Sequence, residues 1–220
     1  MSACSASKNK PFCEGQHAAS GFQAGGCCRV MRERAFIIHG YLGYPAEAWL
    51  PWLKAMLEKR GYQVWLPAMP HPDRPAIPEW IDFIGKLVGE PDAKTVMIAH
   101  SLGCQAVLHY LETLGENAKS VGKTVLVAGR FPTGMSPEDA EKKIEGDEIL
   151  KPWLTARVDP QKVGKAAGKC TVILSDNDPY VPFDEAKASF QGNFPAEIII
   201  EHGKGHFNED DNITELPSAL

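Results

Sequence analysis

The sequence predicts the α/β class: one doubly wound domain with a mostly parallel sheet, helices on both faces and a minimal cap. Two observations carry this reading. From residue 35 onward, short apolar runs alternate with segments of helical spacing. The runs are also apolar throughout, as in strands buried on both faces, and do not show the alternation of a half-exposed sheet.

In chain order, Ala35–Ile38 reads as a buried strand stopped by His39-Gly40. Trp49–Arg60 has apolar residues at 49, 52, 53, 56 and 57, one helix face, and Gly61 is its expected C-terminal cap. Residues 62–66 read as a strand, 67–78 as a proline-rich loop and 79–88 as a helix. A strand follows at 95–99, a helix at 102–114 and a strand at 123–128. Residues 130–168 are mixed and polar, with one or two short helices expected. A strand at 170–175, a helix at 184–190 and a last strand at 196–201 complete the pattern. A further helix is expected to begin near Asp210.

The chain has 220 residues, 44% hydrophobic and 23% charged, enough for one core without disulfides or metals. Residues 1–30 are rich in Ser, Ala, Gly and Cys and lack apolar periodicity, so they read as a disordered extension. The folded domain is expected to span 31–220, starting near Met31. Cys4, Cys13, Cys27 and Cys28 lie in the extension, and no C-x-x-C spacing points to a metal. Cys104 and Cys170 sit in apolar contexts as small hydrophobes. A net charge of −5 without a basic cluster argues against nucleic-acid binding. No apolar run approaches the ~20 residues needed to cross a bilayer. No signal-peptide pattern stands at the N-terminus, so the cytoplasm is the default expectation.

The chemical signal is Ala99-His100-Ser101-Leu102-Gly103, between a strand and a helix, the place of a nucleophile elbow. Residues two before and two after the serine must be small. Ala99 and Gly103 satisfy this, although the usual pattern has glycine at both. Ser101 would stand at the helix N-terminus, where the Leu102 N–H can donate to an oxyanion. The second donor should come from the loop after the first strand, and the Tyr41 N–H beside Gly40 is the choice. His39 reads as structural. His17, His71, His100 and His109 read as surface or packing residues, and His100 is expected to point away from the substrate.

The acid should follow the strand at 170–175, where Asp176 and Asp178 compete. Asp178 is preferred because it lies further into the loop, three residues before Val181, which can anchor that loop in the core. Asp176 is expected to bond turn amides. The base should follow the last strand, and His206, after two glycines, is preferred to His202. Ser, Asp, His, each after a strand, is the order of the α/β-hydrolase fold.

At these residues the sequence resembles the retinoblastoma-binding-protein-9-like (YdeN-type) serine hydrolases. The resemblance covers about residues 34–220. It rests on His39-Gly40-Tyr41 with Trp49-x-x-Trp52-Leu53, on His100-Ser101-Leu102-Gly103, on Ser175–Pro182 and on Gly203–Asn208. It implies a triad of Ser101, Asp178 and His206, in agreement with the residue-by-residue reading, and a fold that does not need residues 1–30.

The expected reaction is hydrolysis of small acyl esters through an acyl-serine, without metal or organic cofactor. The expected partner is a small-molecule acyl substrate. A short cap suggests short acyl groups, with Phe131, Met135 and Trp153 as pocket walls. The rival readings are a non-catalytic protein-binding module on the same fold and a thioesterase or acyltransferase using the same triad.

Overall fold

The computed structural model describes residues 33–117, 119–144 and 148–220. The expectation of a disordered extension over 1–30 falls outside them. Six strands form one sheet: β1 (Arg34–Ile38), β2 (Gln63–Trp65), β3 (Thr95–His100), β4 (Lys123–Val127), β5 (Lys169–Ser175) and β6 (Glu197–Glu201). Their order is β2-β1-β3-β4-β5-β6, and every neighbouring pair is parallel. The chain goes from β1 outward to β2 and then returns to the other side of β1 as β3. The sheet therefore has its topological switch point between the C-terminal ends of β1 and β3, where such sheets open a crevice.

Successive strand residues face opposite layers. Phe36, Ile38, Met97, Ala99, Leu126, Val172 and Leu174 belong to one core cluster. It is covered by α2 (Ile77–Val88), α3 (Leu102–Glu116), α6 (Pro160–Ala166) and α7 (Phe183–Gln191). Ala35, Ile37, Ile98, Val125, Val127 and Ile173 face the other layer, built from α1 (Leu50–Lys59) and the C-terminal segment with Phe207, Leu216 and Ala219. Both layers are closed by large side chains, Trp80 and Trp153 on one side and Trp49 on the other, all fully buried. Cys104 and Cys170 are free and buried, and burial raises both thiol pKa values, that of Cys170 to about 12.

Gly61 closes α1 as expected. At φ 93° it stands just past the helix, its N–H bonds to the Glu58 carbonyl and that of Tyr62 to the Leu57 carbonyl. This paired arrangement satisfies two orphan carbonyls at the helix end.

The expectations fail mainly at prolines. The loop ends at Ala76, and α2 includes Pro78 in its first turn. The expected one or two helices in 130–168 are α4 (Pro137–Ile144), α5 (Lys151–Thr155) and α6, with Pro137, Pro152 and Pro160 all in first turns. A first-turn residue needs no intrahelical N–H partner, so these prolines start helices, Pro78 where the loop was expected to continue. The helix expected near Asp210 is absent. Asn208 and Asp211 bond loop amides instead, competing with helix formation, and the chain ends in one 3₁₀ turn, Pro217–Ala219. Among the described residues no helix is long and apolar enough to cross a membrane.

Candidate active site

Ser101 occupies the single residue between β3 and α3, at φ 53° and ψ −124°. That conformation is strained for a residue with a side chain and is held because both flanking elements are fixed. Its N–H bonds to the Val127 carbonyl of β4 at 2.9 Å. The tightness of the turn explains Gly103. A Cβ there would stand 2.6 Å from the His39 carbonyl oxygen and 2.7 Å from that of Ile38. Backbone at the end of β1 cannot yield easily. Gly103→Ala is therefore expected to destabilise the fold by about 1–3 kcal/mol, seen as a lowered melting temperature.

The loop after β1 presses on the serine. A Cβ on Gly40 would lie 2.8 Å from the Ser101 Cβ. His39 is structural, as the sequence suggested. Its Nε2 accepts the Met69 N–H at 2.9 Å, so Nδ1 carries the proton and donates to the Gly40 carbonyl at 3.0 Å. Burial lowers its pKa, which keeps the ring neutral. Tyr41 and Leu102 both line the cavity in front of Ser101, on opposite sides of the switch point.

Asp178 and His206 come to this place from β5 and β6. His206 Nε2 is 2.8 Å from Ser101 Oγ, and His206 Nδ1 is 2.8 Å from Asp178 Oδ2. The second Asp178 oxygen accepts the N–H groups of Tyr180 and Val181 at 2.9 Å each. The Asp178 side chain is 2% exposed and the His206 side chain 10%. Val181 packs against the core, the anchor expected for this loop. Asp176 bonds the Gly203 amide and the exposed His202 ring, away from the serine.

The loops after β5 and β6 are knitted together. Ser175 Oγ accepts the Lys204 N–H, and Asn177 Oδ1 accepts the Gly205 N–H and the Ser175 hydroxyl. Asp211 accepts the His206 N–H at 2.7 Å and fills the space where a Gly205 side chain would be. Phe207, at φ 56°, drops into the lower core, and its carbonyl accepts the Trp49 indole N–H at 3.0 Å.

His100 has a role the sequence reading missed. Its Nε2 lies 2.8 Å from the His206 carbonyl, which can only accept, so His100 is the neutral Nε2–H tautomer. It positions the His206 backbone from below, while its ring meets Trp49 edge-on. The signal was available only as a second histidine beside the serine. Burial drives its pKa from 6.5 to about 3. Between those values the unfolded chain takes up a proton that the folded chain refuses, so stability falls as pH falls through this window. His39 and His109, also lowered by burial, add in the same direction. Urea midpoints measured across that range should drop steeply for the native protein and less for His100→Gln. Equal slopes would remove this role.

A cavity of about 1120 Å³ opens over Ser101 and His206. Trp153 lines it as expected. Phe131 does not: it is buried against Phe190 and Phe194 behind the wall, and Met135 is not among the lining residues. Leu42 and Tyr180, 62% and 65% exposed, stand on the cavity wall, with Tyr180 edge-on to His206.

The sequence model of the serine hydrolase family matches residues 35–220. The chain belongs to the serine hydrolase family. It is 34% identical over 187 residues to the hydrolase YdeN of Bacillus subtilis (strain 168), covering 85% of this chain and 92% of that one. The crystal structure of the B. subtilis ydeN gene product superposes with a TM-score of 0.73, at 31% identity, over 84% of this chain and 94% of that one. Est1E from Butyrivibrio proteoclasticus, solved with ferulic acid, gives a TM-score of 0.61 at 16% identity, covering 81% and 86%, which shows the shared fold. The hydrolase thus has the α/β-hydrolase fold expected from its motif order.

Proposed function

We propose that this hydrolase is carboxylesterase-like and cleaves small acyl esters through an acyl-serine intermediate. The observation that carries the reading is the unbroken relay from Asp178 through His206 to Ser101, with both links at 2.8 Å, facing a cavity of substrate size. Ser101 attacks the acyl carbonyl as His206 Nε2 takes its proton. Asp178 holds the Nδ1–H tautomer and stabilises the imidazolium. The neutral His100, 5.1 Å from His206 ring to ring, adds no opposing charge. The N–H groups of Tyr41 and Leu102 receive the oxyanion, each worth about 3 kcal/mol by comparison with measured donors. His206 then returns the proton to the leaving alcohol and activates water for deacylation. Leu42 and Tyr180 offer apolar surface at the mouth for the leaving group. None of these steps calls for a metal or organic cofactor.

The test is labelling by a fluorophosphonate probe. The native protein should label and Ser101→Ala should not. A well-folded native protein that stays unlabelled would overturn the esterase reading in favour of a binding module.

A further inference from the structure

Three buried polar atoms on the cavity wall are unused by this chemistry, Oε2 of Glu47 among them. Nη1 of Arg130 and Oε1 of Gln105 are shielded from solvent and have no hydrogen-bond partner among the described residues. Gln105 is only 5% exposed. It stands on α3 one turn beyond Ser101, on the same helix face. Arg130 reaches the cavity from the turn after β4, where a Cβ on Gly129 would meet Cys104 Sγ at 2.6 Å.

A guanidinium stays charged at any ordinary pH, and a buried N–H without an acceptor is costly. Folded proteins leave few such groups, and each calls for an explanation. The carboxylate that acts on Arg130 is Glu185, already ion-paired with Lys143. Among the described residues two cations therefore share one carboxylate, which favours an anion at this end of the cavity. Of the other lining acids, Glu47 interacts with Glu209 and His206 and is not among the charges acting on Arg130.

We propose that the cavity takes an ester whose acyl chain carries a free carboxylate, which pairs with Arg130. The inference rests on the esterase reading of the same cavity. The leaving alcohol departs first, past exposed Leu42 and Tyr180, so the buried end beside Arg130 holds the acyl chain. The Gln105 amide supplies a further hydrogen bond along that chain, its NH₂ turned to the ligand by rotation of the last torsion. In chemical terms the substrate is a half-ester of a dicarboxylic acid. The ester C–O bond breaks as Ser101 Oγ bonds the carbonyl carbon, and the serine proton leaves on the alcohol through His206. One water then splits the acyl-serine, releases the dicarboxylate and restores the serine hydroxyl.

Binding can be read apart from turnover in the Ser101→Ala background. Calorimetry with monomethyl glutarate should show affinity falling about tenfold or more when Arg130→Met is added, as for a lost charge-assisted bond. Neutral dimethyl glutarate should show no such change, and Arg130→Lys should retain part of the half-ester affinity. In turnover, the native enzyme should prefer 4-nitrophenyl hemiglutarate to 4-nitrophenyl pentanoate, and Arg130→Met should abolish that preference. If Arg130→Met leaves both the half-ester affinity and the preference unchanged while the pentanoate is still cleaved, the carboxylate site is overturned and the esterase reading stands. If half-ester binding depends on Arg130 but neither ester is cleaved and the probe does not label, the anion site stands and the esterase reading falls.

Discussion

Ser101→Ala is expected to lower kcat for a 4-nitrophenyl ester by on the order of 10⁶-fold, because nucleophile and base act as one unit. The melting temperature should change little. Alanine keeps the Cβ that packs near Gly40, and only the hydroxyl bonded to His206 is lost. Among the described residues neither cysteine is poised to substitute. Cys104 is buried, bonds the Ala99 and Val127 carbonyls, and has its thiolate disfavoured by burial. Ester turnover and thermal melting on matched preparations separate loss of chemistry from loss of fold. A variant that kept most of its turnover would move the nucleophile away from Ser101.

The second large effect separates two aspartates only two residues apart. Asp178→Asn is expected to cost on the order of 10⁴-fold in kcat. An amide at this position can keep its oxygen on the Tyr180 and Val181 N–H groups and so must turn its NH₂ toward His206 Nδ1. His206 then carries its proton on Nε2, facing Ser101, and cannot accept another. Asp176→Asn should be close to neutral, since its partner His202 is 81% exposed and exposed ion pairs contribute little. Parallel kinetics on the two variants decide the matter: a damaging Asp176→Asn with a tolerated Asp178→Asn would reverse the assignment of the acid.

Much of this arrangement could be read from the chain. The central strands are apolar throughout because both faces are covered, and that run pattern is visible in 35–38, 95–99 and 170–175. Ser101 and Gly103 were legible because a strand-to-helix turn admits few residue types. Asp178 and His206 followed from their places after strands. Three helices stand in 137–166 where one or two were expected, because this mixed, polar stretch carries no clear apolar periodicity to count them by. Phe131 was misplaced because an aromatic side chain after a strand suits a pocket wall and a core equally, and only packing on Phe190 and Phe194 decides. His100 and Asn177 act through partners 106 and 28 positions away, and no local pattern encodes such contacts.

The bond between Ser101 and His206 joins residues 105 positions apart, and its histidine comes from the loop after the last strand of the sheet. Contacts of such separation form late, after the intervening chain has been closed into place. On the proposed chemistry, Ser101 therefore gains its base only when the segment after β6 has closed onto the sheet. The proposed hydrolysis is thereby tied to β6 being seated at the sheet edge.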